Sequence, residues 1–331
     1  MYYTGIDLHK DNCYVRTKTE SGEKISQCRL KNDPDLIMNY FEELGMDQKV
    51  VIETTSSWYW LNDLLESKKM EVVLAHAKEL KAIANAKVKT DKVDSSTLAD
   101  LLRADLVSPA HKISKELRGL RDTMRMRLRL VQKRTSSYNS IHRIAEKFNC
   151  DTEVELSKRT IPEDLPEEYR SQMELYYQQS ELLDEQIKGI GKQLRTMLRT
   201  NEDIERMQGV PGIGMITAYS AYLEIDGIER FPAEKNFLSY CRLVPGAKDS
   251  NKTKRHRSGN KEGNVYLKIA FTNAAVHSIR YSEEIRKFYH KMLRRTNKSI
   301  ALTLVAKELA KITYHILKDK TEYRGFKLSG K

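Results

Sequence analysis

The sequence predicts a mixed α/β domain over residues 1–110, long coiled-coil helices over 111–200 and a mostly helical domain over 201–331. Three observations carry that reading. Short runs between residues 2 and 30 alternate apolar and polar side chains, as half-buried strands do. Residues 113–197 instead repeat apolar side chains every three or four positions, as amphipathic helices do. From Met207 onward, helical stretches are separated by a tight Gly/Pro turn and one long polar loop.

The N-terminal elements follow in order. YYTGIDLH, NCYVRTKT and ISQCRL read as three successive strands, with ESGEK turning the chain between the second and third. DPDLIMNYFEEL opens with Asp-Pro and carries apolar residues at helical spacing. VVIET is a short buried strand, WYWLNDLLESK a helix, EVVLAH a strand and AKELKAIANAK a helix, and Asp91 to about Asp105 is helical again. Three strands followed by alternating helix and strand is the order of an RNase H-like α/β domain. Trp58 and Trp60 are expected to pack their helix on the sheet.

In the middle of the chain, Ile113, Leu117, Leu120, Met124, Leu128, Val131, Tyr138, Ile141, Ala145 and Phe148 trace one long amphipathic helix. Beyond Pro162 and Pro166 a second seam runs through Tyr169, Met173, Tyr176, Ser180, Leu183, Ile187, Ile190, Leu194 and Met197. Its alternating steps of four and three are those of a coiled coil. The two helices can pair as an antiparallel hairpin or across subunits, and the second seam predicts an oligomer. Further on, GVPGIG (Gly209 to Gly214) reads as the turn of a helix-hairpin-helix element, whose backbone N–H groups near Gly212 and Gly214 can face a phosphate. Plain packing of two helices is the competing reading of that turn.

Net charge is +12, and it is unevenly placed: −3 over residues 1–110, +4 over 111–200 and +11 over 201–331. Residues 112–134 hold nine Lys/Arg and two acids, and residues 286–298 hold six Lys/Arg and no acid. A basic module joined to a carboxylate-bearing one suits an enzyme that works on a polyanion. A mean hydropathy of −0.62 and the lack of a long apolar run exclude a membrane span. The N-terminus lacks the order of a signal peptide. Cys13, Cys28, Cys150 and Cys241 are scattered without a CxxC pair, which argues against a disulfide or zinc scaffold and fits a reducing cytoplasm.

The chemistry is carried by acids at element ends. Asp7 ends the first strand, Glu53 ends VVIET, and Asp91 and Asp94 open a helix one turn apart. In the expected fold these four converge, and such a cluster binds paired divalent cations, Mg²⁺ or Mn²⁺, through carboxylate oxygens. Stabilisation of a helix start by acids would explain Asp91 and Asp94 without metal, but neither Asp7 nor Glu53. Asp11 competes for the place of Asp7, and Asp100 and Asp105 read as a solvated helix face.

GIDLHK, VVIET and KTDKVDSSTLADLL resemble the DEDD motif of transposases from the bridge-RNA-guided insertion-sequence family, related to the Piv-type DNA invertases. Independently, MQGVPGIGMITA and LVPGAKDSNKTKRHRSGNKEGNVYLKIAFTNAA resemble that family's second domain. The resemblance implies a Holliday-junction-resolvase-like (RNase H-like) domain, a coiled coil and a helical transposase domain carrying a nucleophilic serine. Its acids fall on Asp7, Glu53, Asp91 and Asp94, and its serine on Ser250. Where the family usually has glycine after that serine, this chain has Asn251, so Ser258 stands in reserve. Lys248, Lys252, Lys254, Arg255, Arg257 and Lys261 flank Ser250 and are expected to neutralise phosphates. His256 in that loop reads as a phosphate contact. Tyr240, Tyr266 and Tyr289 lie near basic residues, with base stacking and core packing both open.

The resemblance further implies donor and target DNA, a noncoding guide (bridge) RNA, a dimer or tetramer with shared active sites, and a prokaryotic, nucleoid-associated setting. The expected activity is a recombinase that cuts and rejoins DNA through a phosphoserine linkage. The competing classes are a hydrolytic junction nuclease using the acids and water, and a non-enzymatic coiled-coil DNA-binding protein.

Overall fold

A computed structural model describes residues 1–54, 57–76, 91–199, 201–245 and 262–325. The chain divides into two compact units, residues 1–112 and 113–331. The first holds a five-stranded sheet: β1 (Tyr2–Leu8), β2 (Asn12–Lys18), β3 (Lys24–Lys31), β4 (Gln48–Glu53) and β5 (Glu71–Ala75). The strand order is β3-β2-β1-β4-β5. β2 runs antiparallel to β1 and β3, while β1, β4 and β5 are mutually parallel.

Strand alternation sorts two apolar layers. Ile6, Leu8, Val15, Val50, Ile52 and Leu74 face α1 (Pro34–Leu44) and α2 (Trp58–Ser67), and Trp58 and Trp60 pack against that layer. Val51, Val73 and Ala75 face α3 (Asp91–Arg103), through Leu98, Leu101 and Leu102. Asp33 starts α1 by accepting bonds from the backbone N–H of Asp35 and Leu36, and Pro34 supplies the fixed φ of a first helical residue. The predicted helix AKELKAIANAK lies outside the described residues.

The second unit opens with α4 (Lys115–Lys147) and α5 (Glu167–Leu198). They pair within one chain. Ile141 and Ile144 meet Met173 and Tyr177, Leu130 meets Leu183 and Ile187, and Met124 joins a cluster with Leu194 and Leu198. Numbers fall along α5 as they rise along α4, so the hairpin is antiparallel. The expected seam slips at two places: Tyr177 and Leu198 are buried where Tyr176 and Met197 were expected, and Met197 is 59% exposed. A straight helix of 3.6 residues per turn drifts by about 20° per heptad, which moves the buried stripe by one residue.

Next come α6 (Glu202–Gln208), α7 (Met215–Ile225), α8 (Glu234–Tyr240), α9 (Val265–Tyr281), α10 (Glu283–Leu293) and α11 (Lys298–Asp319). They enclose a core that includes Phe237, Leu267, Phe271, Val305 and Leu309. Among the described residues no helix is long and apolar enough to cross a membrane. All four cysteines are free; Cys13 and Cys241 are buried, and burial pushes the Cys13 thiol up to about 12.

Candidate active site

The first site residues are set by sheet register. Ile6 of β1 pairs with Ile52 of β4 in parallel, so the next residues, Asp7 and Glu53, stand side by side on adjacent strands. Neighbouring strands lie about 4.8 Å apart. Because Ile6 and Ile52 face α1 and α2, Asp7 and Glu53 share the opposite sheet face, where α3 packs. Asp7 is only 7% exposed, and His9 Nε2 approaches its Oδ2 at 3.3 Å. Asp11 lies exposed in the turn between β1 and β2.

Gly5 decides how closely α3 can approach. A Cβ at that position would lie 2.2 Å from the Ser95 carbonyl oxygen and 2.6 Å from the Ala99 nitrogen. With no side chain, β1 lets the helix settle directly on its backbone. Farther along α3, Lys18 Nζ bonds Asp100 Oδ2 at 2.5 Å, and the Arg103 guanidinium donates to the Glu20 carbonyl at 3.1 Å. Lys18 pairs with Tyr3 at the start of β1, so α3 runs antiparallel to β1. Its first turn therefore points toward the strand end that bears Asp7 and Glu53. Asp94 directly precedes Ser95, and Asp91 opens the helix another turn back, about 4.5 Å farther along the axis. Asp100, expected as solvated face, is instead an ion-pair partner of Lys18.

The donors on this face are hard carboxylate oxygens, the set that suits Mg²⁺ or Mn²⁺ rather than a soft metal. Among the described residues no three His, Cys, Asp or Glu side chains are arranged to hold an ion. The side chain of Asp91 lies outside that description; Asp7 and Glu53 share a sheet face, and the helix that Asp91 and Asp94 open packs on that face with its first turn toward their strand end.

Ser250, Ser258, His256 and the cluster Lys248, Lys252, Lys254, Arg255, Arg257 and Lys261 all lie outside the described residues. The chain on either side is held at the end of α8. Asn264 N–H donates to the Tyr240 carbonyl at 2.6 Å, and the Arg242 guanidinium donates to the Gly263 carbonyl at 2.8 Å. Gly263 has φ +97°, and a Cβ there would meet the Tyr240 oxygen at 2.4 Å. Asn264 then caps α9, accepting from Tyr266 and Leu267 N–H, and its amide donates to Glu224 Oε2 at 2.7 Å.

Sequence reasoning missed Glu224. It is 2% exposed, yet it accepts from Arg121 Nε at 3.0 Å and from Arg125 through Nε at 2.6 Å and Nη2 at 2.8 Å. Burial alone would push its carboxyl up. The Arg125 hydrogen bonds, the Arg121 charge and the Asn264 amide outweigh that and hold it below the ordinary carboxylate value. The sequence signal was one acid in the otherwise uncharged run MITAYSAYLEI. Arg121 and Arg125, with Arg134 paired to Asp184, also show that part of the 112–134 basic cluster serves internal pairing.

The tyrosines near basic residues have partners within the unit. The Arg125 guanidinium sits 4.4 Å over the Tyr266 ring, and that of Arg230 sits 4.5 Å over Tyr240. Tyr289 packs half-buried against the core. In the Gly/Pro turn, Gly212 has its Cα against α9, where a Cβ would lie 2.3 Å from the Ala274 oxygen. Close packing accounts for glycine there. Gly214 faces open space at the start of α7.

Residues 4–149 match a family model described as a transposase, of the DEDD, IS110 type. Residues 204–290 match the model of the IS116/IS110/IS902 transposase family. Among curated proteins, the chain is 25% identical over 258 residues to the transposase for insertion sequence element IS1111A of Coxiella burnetii, covering 71% of this chain and 68% of that one. It is 22% identical over 339 residues to a probable family 20 transposase of Pseudomonas aeruginosa, covering 97% and 98%. It is 20% identical over 329 residues to the transposase for insertion sequence element IS1328 of Yersinia enterocolitica, covering 96% and 97%.

Proposed function

The chain belongs to the DEDD transposases of the IS110 family, enzymes that act on DNA, and from that premise we propose that it is an RNA-guided recombinase working through four carboxylates and a serine. The observation that carries the reading is the close seating of α3 on β1 at Gly5. Register aligns Asp7 with Glu53, and a helix opened by Asp91 and Asp94 packs on that face with its first turn toward them. The strand order β3-β2-β1-β4-β5, with β2 antiparallel, supports an RNase H-like domain. Functionally we divide the chain into a catalytic domain over 1–110, coiled-coil helices over 111–200 and a transposase domain over 201–331.

Asp7, Glu53, Asp91 and Asp94 would hold Mg²⁺ or Mn²⁺, which when bound offsets negative charge on a phosphodiester and its leaving oxygen. The chain's own groups supply the rest. The near-buried Asp7 keeps its orientation by packing and by His9 beside it. The Ser250 hydroxyl attacks phosphorus and releases its proton. The P–O bond to the departing strand breaks, and that oxygen takes up a proton. One phosphodiester replaces another, so a later strand can reverse the exchange without an energy-rich cofactor. The basic residues from Lys248 to Lys261 neutralise phosphates, and Gly214, with open space before it, leaves room for a phosphate at the helix-hairpin-helix turn. Phosphate contacts carry little sequence information, which suits specificity delegated to a paired RNA. The protein works as a dimer or tetramer on donor and target DNA.

The test uses full-length protein, labelled element-end DNA and the transcript flanking the gene. Ser250→Ala is expected to lose the covalent protein–DNA adduct and at least about 10³-fold in cleavage rate, while Ser258→Ala keeps both. Full cleavage by Ser250→Ala would favour hydrolysis by water. No cleavage by wild type, with Asp7→Ala changing nothing, would favour a binding protein.

A further inference from the structure

We propose that the edge formed by the second half of α10 and the start of α11 grips the backbone of duplex DNA without reading its sequence. Residues 286–298 carry six Lys/Arg and no acid. Two of the six have work elsewhere. Arg286 donates to the carbonyls of Ile279 and Arg280 at the end of α9, and Lys287 pairs with Glu283 at 2.7 Å. Lys291, Arg294, Arg295 and Lys298 are exposed, and among the described residues no carboxylate pairs with them. That is the reverse of the other basic run, in which Arg121, Arg125 and Arg134 are partnered within the unit.

The packing fixes which way these cations face. α10 buries Ile285, and Phe288 and Tyr289 lie half-buried against the core, so the helix is anchored along one side only. Asn297 caps α11 by accepting from Ile300 N–H at 2.9 Å. The positive end of that 22-residue helix therefore lies at the same edge as Lys298. Four cations beside a helix start, with no carboxylate paired to them among the described residues, repel one another and gain most from a polyanion. Duplex DNA is the polyanion on which this family acts, and Lys and Arg contacts to phosphate position a duplex without reading bases. The proposal needs neither the four acids nor Ser250.

Binding of full-length protein to a short duplex of arbitrary sequence, followed by fluorescence anisotropy across a salt series without divalent ions, tests it apart from cleavage. The variant Lys291→Gln/Arg294→Gln/Arg295→Gln is compared with Lys188→Gln/Lys192→Gln/Arg195→Gln, which removes equal charge from exposed positions on α5. The first is expected to lower the slope of log affinity against log salt by up to about 2.7, at about 0.9 per phosphate contact, and to weaken binding at least about tenfold. The second is expected to keep the wild-type slope, and both should unfold at the wild-type temperature. Equal slope loss in both variants would mean net charge alone matters and would overturn the proposal. So would an unchanged slope in the first variant, or a loss seen with an RNA hairpin but not with duplex DNA.

Discussion

A methyl group at Gly5 has no room: it would press on the carbonyl of Ser95 and the nitrogen of Ala99, both backbone atoms that cannot swing aside. Gly5→Ala must therefore lift α3 off the sheet. The expected cost is about 1–3 kcal/mol of stability. A cleavage loss of about 10²-fold is also expected, because a displacement near 1 Å at the acids is enough. Thermal unfolding and a cleavage assay on the same sample check both, and wild-type cleavage in a stably folded variant would refute the role given to the glycine. Glu224 makes a second prediction in the other unit. Its folded carboxyl titrates below the ordinary value of 4.5, so its stabilising contribution is complete above that pH and fades as pH falls through the folded value. Glu224→Gln leaves two partly buried guanidinium groups without their counter-charge and should cost about 3 kcal/mol at neutral pH. In urea titrations from neutral to acid pH, the gap between wild type and variant should narrow below pH 4.5; a gap independent of pH would mean the charge contributes nothing.

At the scale of elements, the α4–α5 hairpin offers a change in the opposite direction. A methyl group added at Gly189 would have nothing within 4 Å, and one at Gly191 would meet only Arg127 Nε, at 3.8 Å. Alanine at either site fits an uninterrupted helix and should stabilise the protein by about 0.5–1 kcal/mol, read as a higher unfolding temperature. No gain at either position would mean the glycines serve a partner surface. The helices themselves were legible because apolar spacing is a local property; which residue of Tyr176 and Tyr177 turns inward was not, because phase drift accumulates over turns. Strands were legible for the same local reason, and the acids at their ends stood out because polar residues close apolar runs. What the sequence hid depends on distant pairs. The buried acceptor Glu224 finds its arginines about a hundred residues away, Asp100 finds Lys18 across the sheet, and the need for glycine at position 5 exists only once α3 lies on it.

For the whole molecule, the proposed chemistry raises the question of whether one chain would supply both the acids and the serine to a given phosphodiester. The acids sit in the unit of residues 1–112 and Ser250 in the unit of 113–331, so one substitution can disable each without touching the other. Asp7→Asn keeps the size of the side chain while removing its charge, and Ser250→Ala removes only a hydroxyl. Each variant alone is expected to form no covalent adduct with labelled element-end DNA. In a closed two-fold assembly, a mixed dimer contains one site built from two intact halves if the halves come from different subunits, and none if they come from the same subunit. Sharing between subunits therefore predicts that mixing the two inactive proteins, after dissociation and reassembly, restores part of the wild-type adduct. Adduct that stays absent in the mixture, while sedimentation shows that mixed oligomers have formed, would assign both halves of each site to a single chain.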